Sequence, residues 1–309
     1  MVPHINASDV RVETLYSGIS RGTERLVFLG AVPETERESM RAPLQVGAFP
    51  FPVKYGYCAV GIIREGPDNL RERVAFCLHP HQDQFVVPAS TIQVVPDGIP
   101  AKRATLAGNM ETALNAHWDA GTRMGDRVNV IGGGILGLLT AYLAARIPGT
   151  EVTLVDVSDK RKPLADHIGV AFANPSAVPD DADVIFHTSA SAPGLQTALD
   201  SAAMEARIVE MSWYGAREVG VSLGGAFHSK RLQLISTQVG HVAGANRPRW
   251  NFKRRLAKAI TLLADPVLDA LVQDEIAFDD VERRLPAVFS DNASRLPPVL
   301  RYPAADRPA

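Results

Sequence analysis

The stretch Gly125–Leu143 reads GDRVNVIGGGILGLLTAYL, and it decides the fold. A run of β-branched residues ending at Ile131 meets a cluster of glycines, and an apolar helix-forming run follows at once. Gly132, Gly134 and Gly137 fit G-x-G-x-x-G, a spacing that carries meaning only between a strand and a helix, which is the context here. Gly132 permits the tight turn, Gly134 lets the backbone approach a pyrophosphate, and Gly137 lets helix and strand pack closely. The helix beginning with Ile135 and Leu136 presents free N–H groups and the positive end of its dipole to phosphates. These five residues form the expected dinucleotide-binding turn.

Asp156 closes the next strand, EVTLV (151–155). A carboxylate there accepts both ribose hydroxyls and repels a 2′-phosphate, so NAD(H) is expected ahead of NADP(H). Lys160 and Arg161 lie close behind and temper that preference. Further strands are read at 128–131, 170–173, 183–187, 207–212 and 231–236, with helical stretches between most of them. Apolar runs alternating with helices imply a doubly wound parallel sheet. A glycine-rich turn with an accidental acid is the alternative, and six correctly ordered strands weigh against it.

The first hundred residues read differently. Short runs at 10–16, 57–66, 73–78, 84–87 and 92–95 are separated by Gly, Pro, Asp and Asn, the pattern of a small barrel or rolled sheet. A helix is expected from about 104 to Gly121. After 243 the chain is helical again, with a basic amphipathic helix ending at Pro266, a helix within FDDVERRLPAVFS (278–290) and a closing strand in PVLRYP (298–303) that returns to the first domain. The tail RYPAADRPA is expected to fray.

Composition narrows the function classes. A net charge of −2 over 309 residues gives no footprint for nucleic acid or a membrane surface. Two cysteines, Cys58 and Cys77, make neither a disulfide framework nor a four-thiolate zinc lobe. A cytoplasmic location follows as the expectation. MVPHINASDV lacks the pattern of a signal peptide, and the most apolar helix is too short to span a bilayer.

A β-rich first part, then GDRV-x-V-I-G-x-G-x-x-G, then a C-terminal return resembles the medium-chain dehydrogenase/reductase superfamily over nearly the whole chain. The resemblance implies an α/β protein. A β-rich GroES-like domain, shortened at its N-terminus, would occupy 1–111, a Rossmann NAD-binding domain 112–243, and a return to the substrate domain 244–309. It also implies an NAD(P)-dependent dehydrogenase, a small-molecule substrate and a homodimer. Zinc-dependent members hold their catalytic metal with a Cys after the first strand, a His in a G-H-E turn, and a Cys or acid before the Rossmann domain. The matching positions are Ser20, Tyr57 and Gly108, so no catalytic zinc is expected. SGISRGTE (17–24) is most similar to the branch containing bacteriochlorophyllide a dehydrogenase, which implies oxidation of a secondary alcohol. HPHQ and SWYG do not follow that enzyme, so the branch is carried over and the substrate is not.

Hydride transfer to or from a carbonyl builds charge on oxygen, which something must stabilise while a proton moves. Tyr57 either donates a hydrogen bond to the substrate oxygen or fills the metal's space by packing. His79 and His81, flanking Pro80, are acid–base candidates or surface histidines. They would share one face if the strand continued through Pro80. His187, ending DVIFH, lines the nicotinamide site or packs. The resemblance assigns Arg21 to the cofactor pyrophosphate; a surface arginine is the alternative. Trp213 and Tyr214 stack on a flat substrate or line a subunit interface, Thr23 and Glu24 hold their turn, and Glu111 reaches the cleft or serves a helix dipole. The leading reading is interconversion of a secondary alcohol and a carbonyl on a small or ring-type substrate without zinc. Its rivals are an NADPH-dependent quinone or enoyl reductase and a nucleotide-binding relative without catalysis.

Overall fold

The computed structural model describes residues 5–290 and 295–306. The N-terminal stretch read for a targeting signal and the tail read as frayed fall partly on residues 1–4 and 307–309, outside the described residues. The chain forms two compact units, Met1–Gly108 with Leu256–Ala309, and Asn109–Arg255. The joints expected from the sequence lie after 111 and 243. Among the described residues no helix is long and apolar enough to cross a membrane.

The first unit is built on a seven-stranded mixed sheet. Its central strand, Asp9–Gly18, alternates partly buried and buried residues over its first four positions and pairs antiparallel with Ala59–Glu65. Register shifts at Arg11/Val12 and Thr14/Tyr16 bend it. Its first half also pairs with Gln84–Pro88 (Val12 opposite Phe85), and its end pairs with Val299–Arg301 (Ser17 opposite Leu300). Val10, Val12, Ile63, Phe85 and Val87 pack one apolar cluster; Ile19, Ile276, Phe289, Leu300 and Tyr302 pack another. The polar turn expected after the first strand is in fact a helix, Arg21–Phe28, which buries Glu24, Leu26 and Val27. At eight residues it is too short for periodicity to announce it. A ribbon of Val46–Gly47 against Val53–Lys54 was also not foreseen.

The second unit carries six parallel strands: Arg127–Ile131, Glu151–Val155, Ala171–Ala173, Ala182–His187, Ala202–Glu210 and Gln233–Ser236. Numbered in chain order, they lie in the sheet as 3-2-1-4-5-6, the doubly wound order whose ligand crevice opens where the winding reverses. That reversal falls between the first and fourth strands, where Ile131 pairs with His187. The fifth strand begins five residues earlier than expected, at Ala202.

Candidate functional site

The glycine turn stands at the reversal. Gly132 has φ +114°, and a Cβ there would meet Thr188 Oγ1 at 2.7 Å and Ser189 N at 2.9 Å. A Cβ on Gly137 would run into the Gly132 carbonyl oxygen. Gly134 is the opposite case. It is exposed, a Cβ would meet nothing within 4 Å, and it caps the helix Ile135–Ala144 without a side-chain hydrogen bond. No acid stands in that helix's first turn. Ile135 is buried and Leu136 half-buried. The open glycine side and the unclaimed helix N-terminus suit a pyrophosphate.

Asp156 accepts from the Gly133 N–H at 2.6 Å and from the Ser158 N–H at 2.8 Å. The Arg161 stem packs on Gly133, where a Cβ would lie 2.8 Å from Cγ. Burial lowers the Arg161 guanidinium, and the Asp156 charge offsets part of this. Asp156, the acid expected to meet a ribose, therefore has a cation beside it.

His187 is fully buried at the end of its strand, with Nδ1 2.8 Å from Glu210 Oε2 and Nε2 2.7 Å from Ser189 Oγ. Tyr214, from SWYG, turns its hydroxyl to Glu210 at 3.0 Å. Glu111 serves neither a cleft nor a dipole. It is buried against Arg255 at 3.0 Å.

In the first unit, a second group of polar side chains forms around Glu24. Glu24 Oε1 accepts from the Ser20 N–H at 2.7 Å, and Oε2 lies 2.9 Å from His81 Nε2. A carboxylate only accepts, so Nε2 carries a hydrogen, and Nδ1 lies 2.7 Å from Ser17 Oγ. Ser17 in turn lies 2.9 Å from the Tyr302 hydroxyl. Gly56, at φ +117°, makes room for the imidazole, since a Cβ there would meet His81 Cδ2 at 2.8 Å. His79 is placed otherwise. The strand stops at Cys77, and His79 stacks on Phe85 with ring centroids 3.9 Å apart and Nδ1 2.9 Å from the Pro80 carbonyl. Burial lowers its pKa. The two histidines do not share a face.

Tyr57 hydrogen-bonds Ser20. Burial, then Tyr55, Cys58 and Glu24, push its phenol well above the ordinary tyrosine range, and the Ser20 bond offsets part of that. Gly108 adjoins the pair, since its Cβ would lie 2.9 Å from Cys58 Sγ and 3.6 Å from the Tyr57 ring. The three positions matching zinc ligands are thus neighbours, but they offer a hydroxyl, a phenol held protonated and no side chain. That donor set does not fit a catalytic zinc. Among the described residues no group of three His, Cys, Asp or Glu is placed to hold a metal ion. Arg21 donates from Nη2 to the Ser290 carbonyl at 2.8 Å.

No family model matches the chain. A 2-dehydro-3-deoxy-L-galactonate 5-dehydrogenase from Pseudoalteromonas atlantica is 30% identical over 173 residues, covering 52% of this chain and 50% of that protein. The match therefore spans half the length of that relative. A D-guloside 3-dehydrogenase from Escherichia coli K12 is 26% identical over 279 residues, covering 81% of this chain and 79% of that one. A protein from Escherichia coli CFT073 named a short chain alcohol dehydrogenase, solved with NADH, shares the fold at a TM-score of 0.73 and 18% identity, over 97% of this chain and 94% of that one. With the glycine turn at the reversal of a 3-2-1-4-5-6 sheet in one unit and a mixed sheet in the other, the chain has the fold of these dehydrogenases and is similar to them in sequence.

Proposed function

We propose that the chain is an NAD(H)-linked oxidoreductase that interconverts a secondary alcohol and a carbonyl on a sugar-like or other ring substrate, without catalytic zinc. The observation that carries this reading is the turn Gly132–Gly137, open at Gly134 and followed by Asp156 at the end of the next strand. Two relatives named for oxidation at the 3- and 5-positions of sugar derivatives support the substrate class. The nicotinamide, when bound, supplies the hydride acceptor or donor.

The chain's own side chains handle the oxygen and its proton. Tyr57, kept protonated by burial, is a hydrogen-bond donor for the developing oxyanion and a poor base. The Glu24–His81 pair holds the proton, and Ser17 and Tyr302 continue the hydrogen-bond chain behind it. With a panel of glycosides, aldonates and simple secondary alcohols, turnover is expected on the ring substrates. On the best of them, Tyr57→Phe should lower kcat by roughly 100-fold with little change in KM. An unchanged kcat would remove that role from the phenol.

Cofactor choice rests on Asp156. Asp156→Ala is expected to weaken NADH binding and move the NADH-to-NADPH preference roughly tenfold or more toward NADPH, because the 2′-phosphate then meets Arg161 without the opposing carboxylate. Titration with both cofactors reads this directly. Arg161 packed beside Asp156 also favours the second reading, an NADPH-dependent quinone or enoyl reductase. Tighter NADPH than NADH binding by the unmodified protein, with turnover of enones alone, would put that reading first.

A further inference from the structure

The second unit holds a hydrogen-bond chain that the proposed chemistry does not use. Ser191 Oγ lies 2.9 Å from Ser189 Oγ, Ser189 Oγ lies 2.7 Å from His187 Nε2, and His187 Nδ1 lies 2.8 Å from Glu210 Oε2. Ser189 is exposed and His187 is fully buried, so the chain runs from the surface inward. Its middle member adjoins the glycine turn, where a Cβ on Gly132 would come within 2.9 Å of Ser189 N, and its outer member, Ser191, caps the helix Ala192–Asp200 by accepting from the Gly194 N–H at 3.2 Å.

Glu210 fixes the inner end. It accepts from the Ser212 N–H at 2.7 Å and from the Tyr214 hydroxyl at 3.0 Å, besides its bond with His187. Burial raises its carboxyl, but the His187 and Ser212 interactions more than offset this and leave it below the ordinary glutamate range. An ionised carboxylate only accepts, so His187 Nδ1 carries a hydrogen in either protonation state. In the neutral imidazole Nε2 is then an acceptor. Ser189 directs its one hydrogen at Nε2, Ser191 directs its own at Ser189, and every hydrogen of the chain points inward. In the imidazolium Nε2 is a donor. The two hydroxyls reverse, and the outermost hydrogen points outward.

An outward lone pair and an outward hydrogen are different offers to a ligand that can only accept. Phosphate oxygens are such a ligand, and the adjoining turn is built for a pyrophosphate. We propose that Ser191, Ser189, His187 and Glu210 form a proton-set switch at the nucleotide cradle, in which protonation of His187 turns a hydroxyl hydrogen outward to a phosphate oxygen of the dinucleotide. This rests on the dinucleotide reading above. The titratable or charged groups facing the imidazole are Glu210 and Tyr214, with Arg217 behind the Tyr214 ring at 5.9 Å and bonded to the Ala190 carbonyl. From the helix Ala192–Asp200 the near residue is Gly194, and from the first strand Ile131; neither titrates. Burial and the Glu210 charge push the Tyr214 phenol up, so it keeps its hydrogen throughout.

The test is calorimetric titration of the full chain with ADP-ribose and with NADH, from alkaline to acid pH over the range in which the protein stays folded. ADP-ribose carries the pyrophosphate without the nicotinamide, and adenosine carries neither. One gained hydrogen bond predicts roughly 5- to 10-fold tighter binding of both pyrophosphate ligands on acidification, with proton uptake, and no such trend for adenosine. His187→Gln should flatten the trend, and Ser189→Ala should hold the affinity at its alkaline value. A His187→Gln protein that keeps the wild-type slope would overturn the switch. So would wild-type binding that stays flat with pH, which leaves the dinucleotide reading standing. Failure to bind either nucleotide at any pH overturns both. Should the variants not fold, NMR of His187 in the wild-type protein decides. The imidazole should gain proton affinity when ADP-ribose is added, and an unchanged titration would refute the idea.

Discussion

Gly137→Ala is expected to cost the protein about 3 kcal/mol or more of stability and its nucleotide binding with it. The added Cβ would collide with the Gly132 carbonyl oxygen, and it would also sit 2.8 Å from Thr188 Oγ1 and 3.0 Å from the Gly132 carbonyl carbon. Two of these three atoms are backbone in the turn itself, and Gly132 is held by its own N–H bond to the Val155 carbonyl at 2.8 Å. Relief requires the helix to lift from the strand, which opens the cradle. Gly134→Ala is the control from the same loop. Its Cβ meets nothing within 4 Å, so stability should change by less than about 1 kcal/mol while nucleotide affinity drops. Chemical denaturation and cofactor titration on the two variants separate fold from site. If Gly137→Ala were as stable as the parent, this description of the turn would be wrong.

Arg255→Ala is expected to destabilise by about 3–5 kcal/mol, the usual effect of removing one partner of a buried ion pair. Arg255 is 1% exposed and reaches Glu111 at 3.0 Å, Asn115 at 2.5 Å, the His241 carbonyl at 2.9 Å and the Val239 carbonyl. Burial already raises the Glu111 carboxyl more than Arg255 lowers it, and without the guanidinium it rises further. A carboxyl raised on folding adds stability below its unfolded value, near about 4.3, and loses it as pH climbs through the folded value. The deficit of Arg255→Ala should therefore be widest at neutral pH and narrow toward about pH 4. Replacing both partners, as Arg255→Met with Glu111→Leu, should recover most of the loss. Denaturation curves of the single and double variants at the two pH values check it. An equally unstable double variant would mean that the carbonyl contacts, not the pair, hold this region.

What the sequence shows and what it hides follows from how far apart interacting residues lie. The glycine turn is local. Strand, turn and helix fall within twenty consecutive residues, Gly132 and Gly137 answer steric demands of their neighbours, and the parallel strands announce themselves as apolar runs. The chain Glu24–His81–Ser17–Tyr302 is not local. Its links join residues 57, 64 and 285 positions apart, and only Glu24 and Ser17 belong to one motif. Glu24 looked like a turn residue because the eight-residue helix that buries it carries too little periodicity to be seen. His81 could be singled out as a titratable residue near the expected cleft, whereas its difference from His79 depends on where a strand stops. Arg255 was hidden for another reason. On a helix crowded with Arg and Lys, nothing in the sequence marks the one guanidinium that faces inward.

On the proposed reading, a nicotinamide cofactor and side-chain hydrogen donors, with no metal at the Ser20–Tyr57 position, carry out the oxidation of a secondary alcohol. Its most direct test is NAD+ reduction with ring glycosides by the full chain, before and after treatment with a strong chelator, with bound zinc measured on the same samples. Turnover is expected to persist unchanged when zinc falls far below one per chain. Activity that disappears on chelation and returns only when zinc is restored would contradict it.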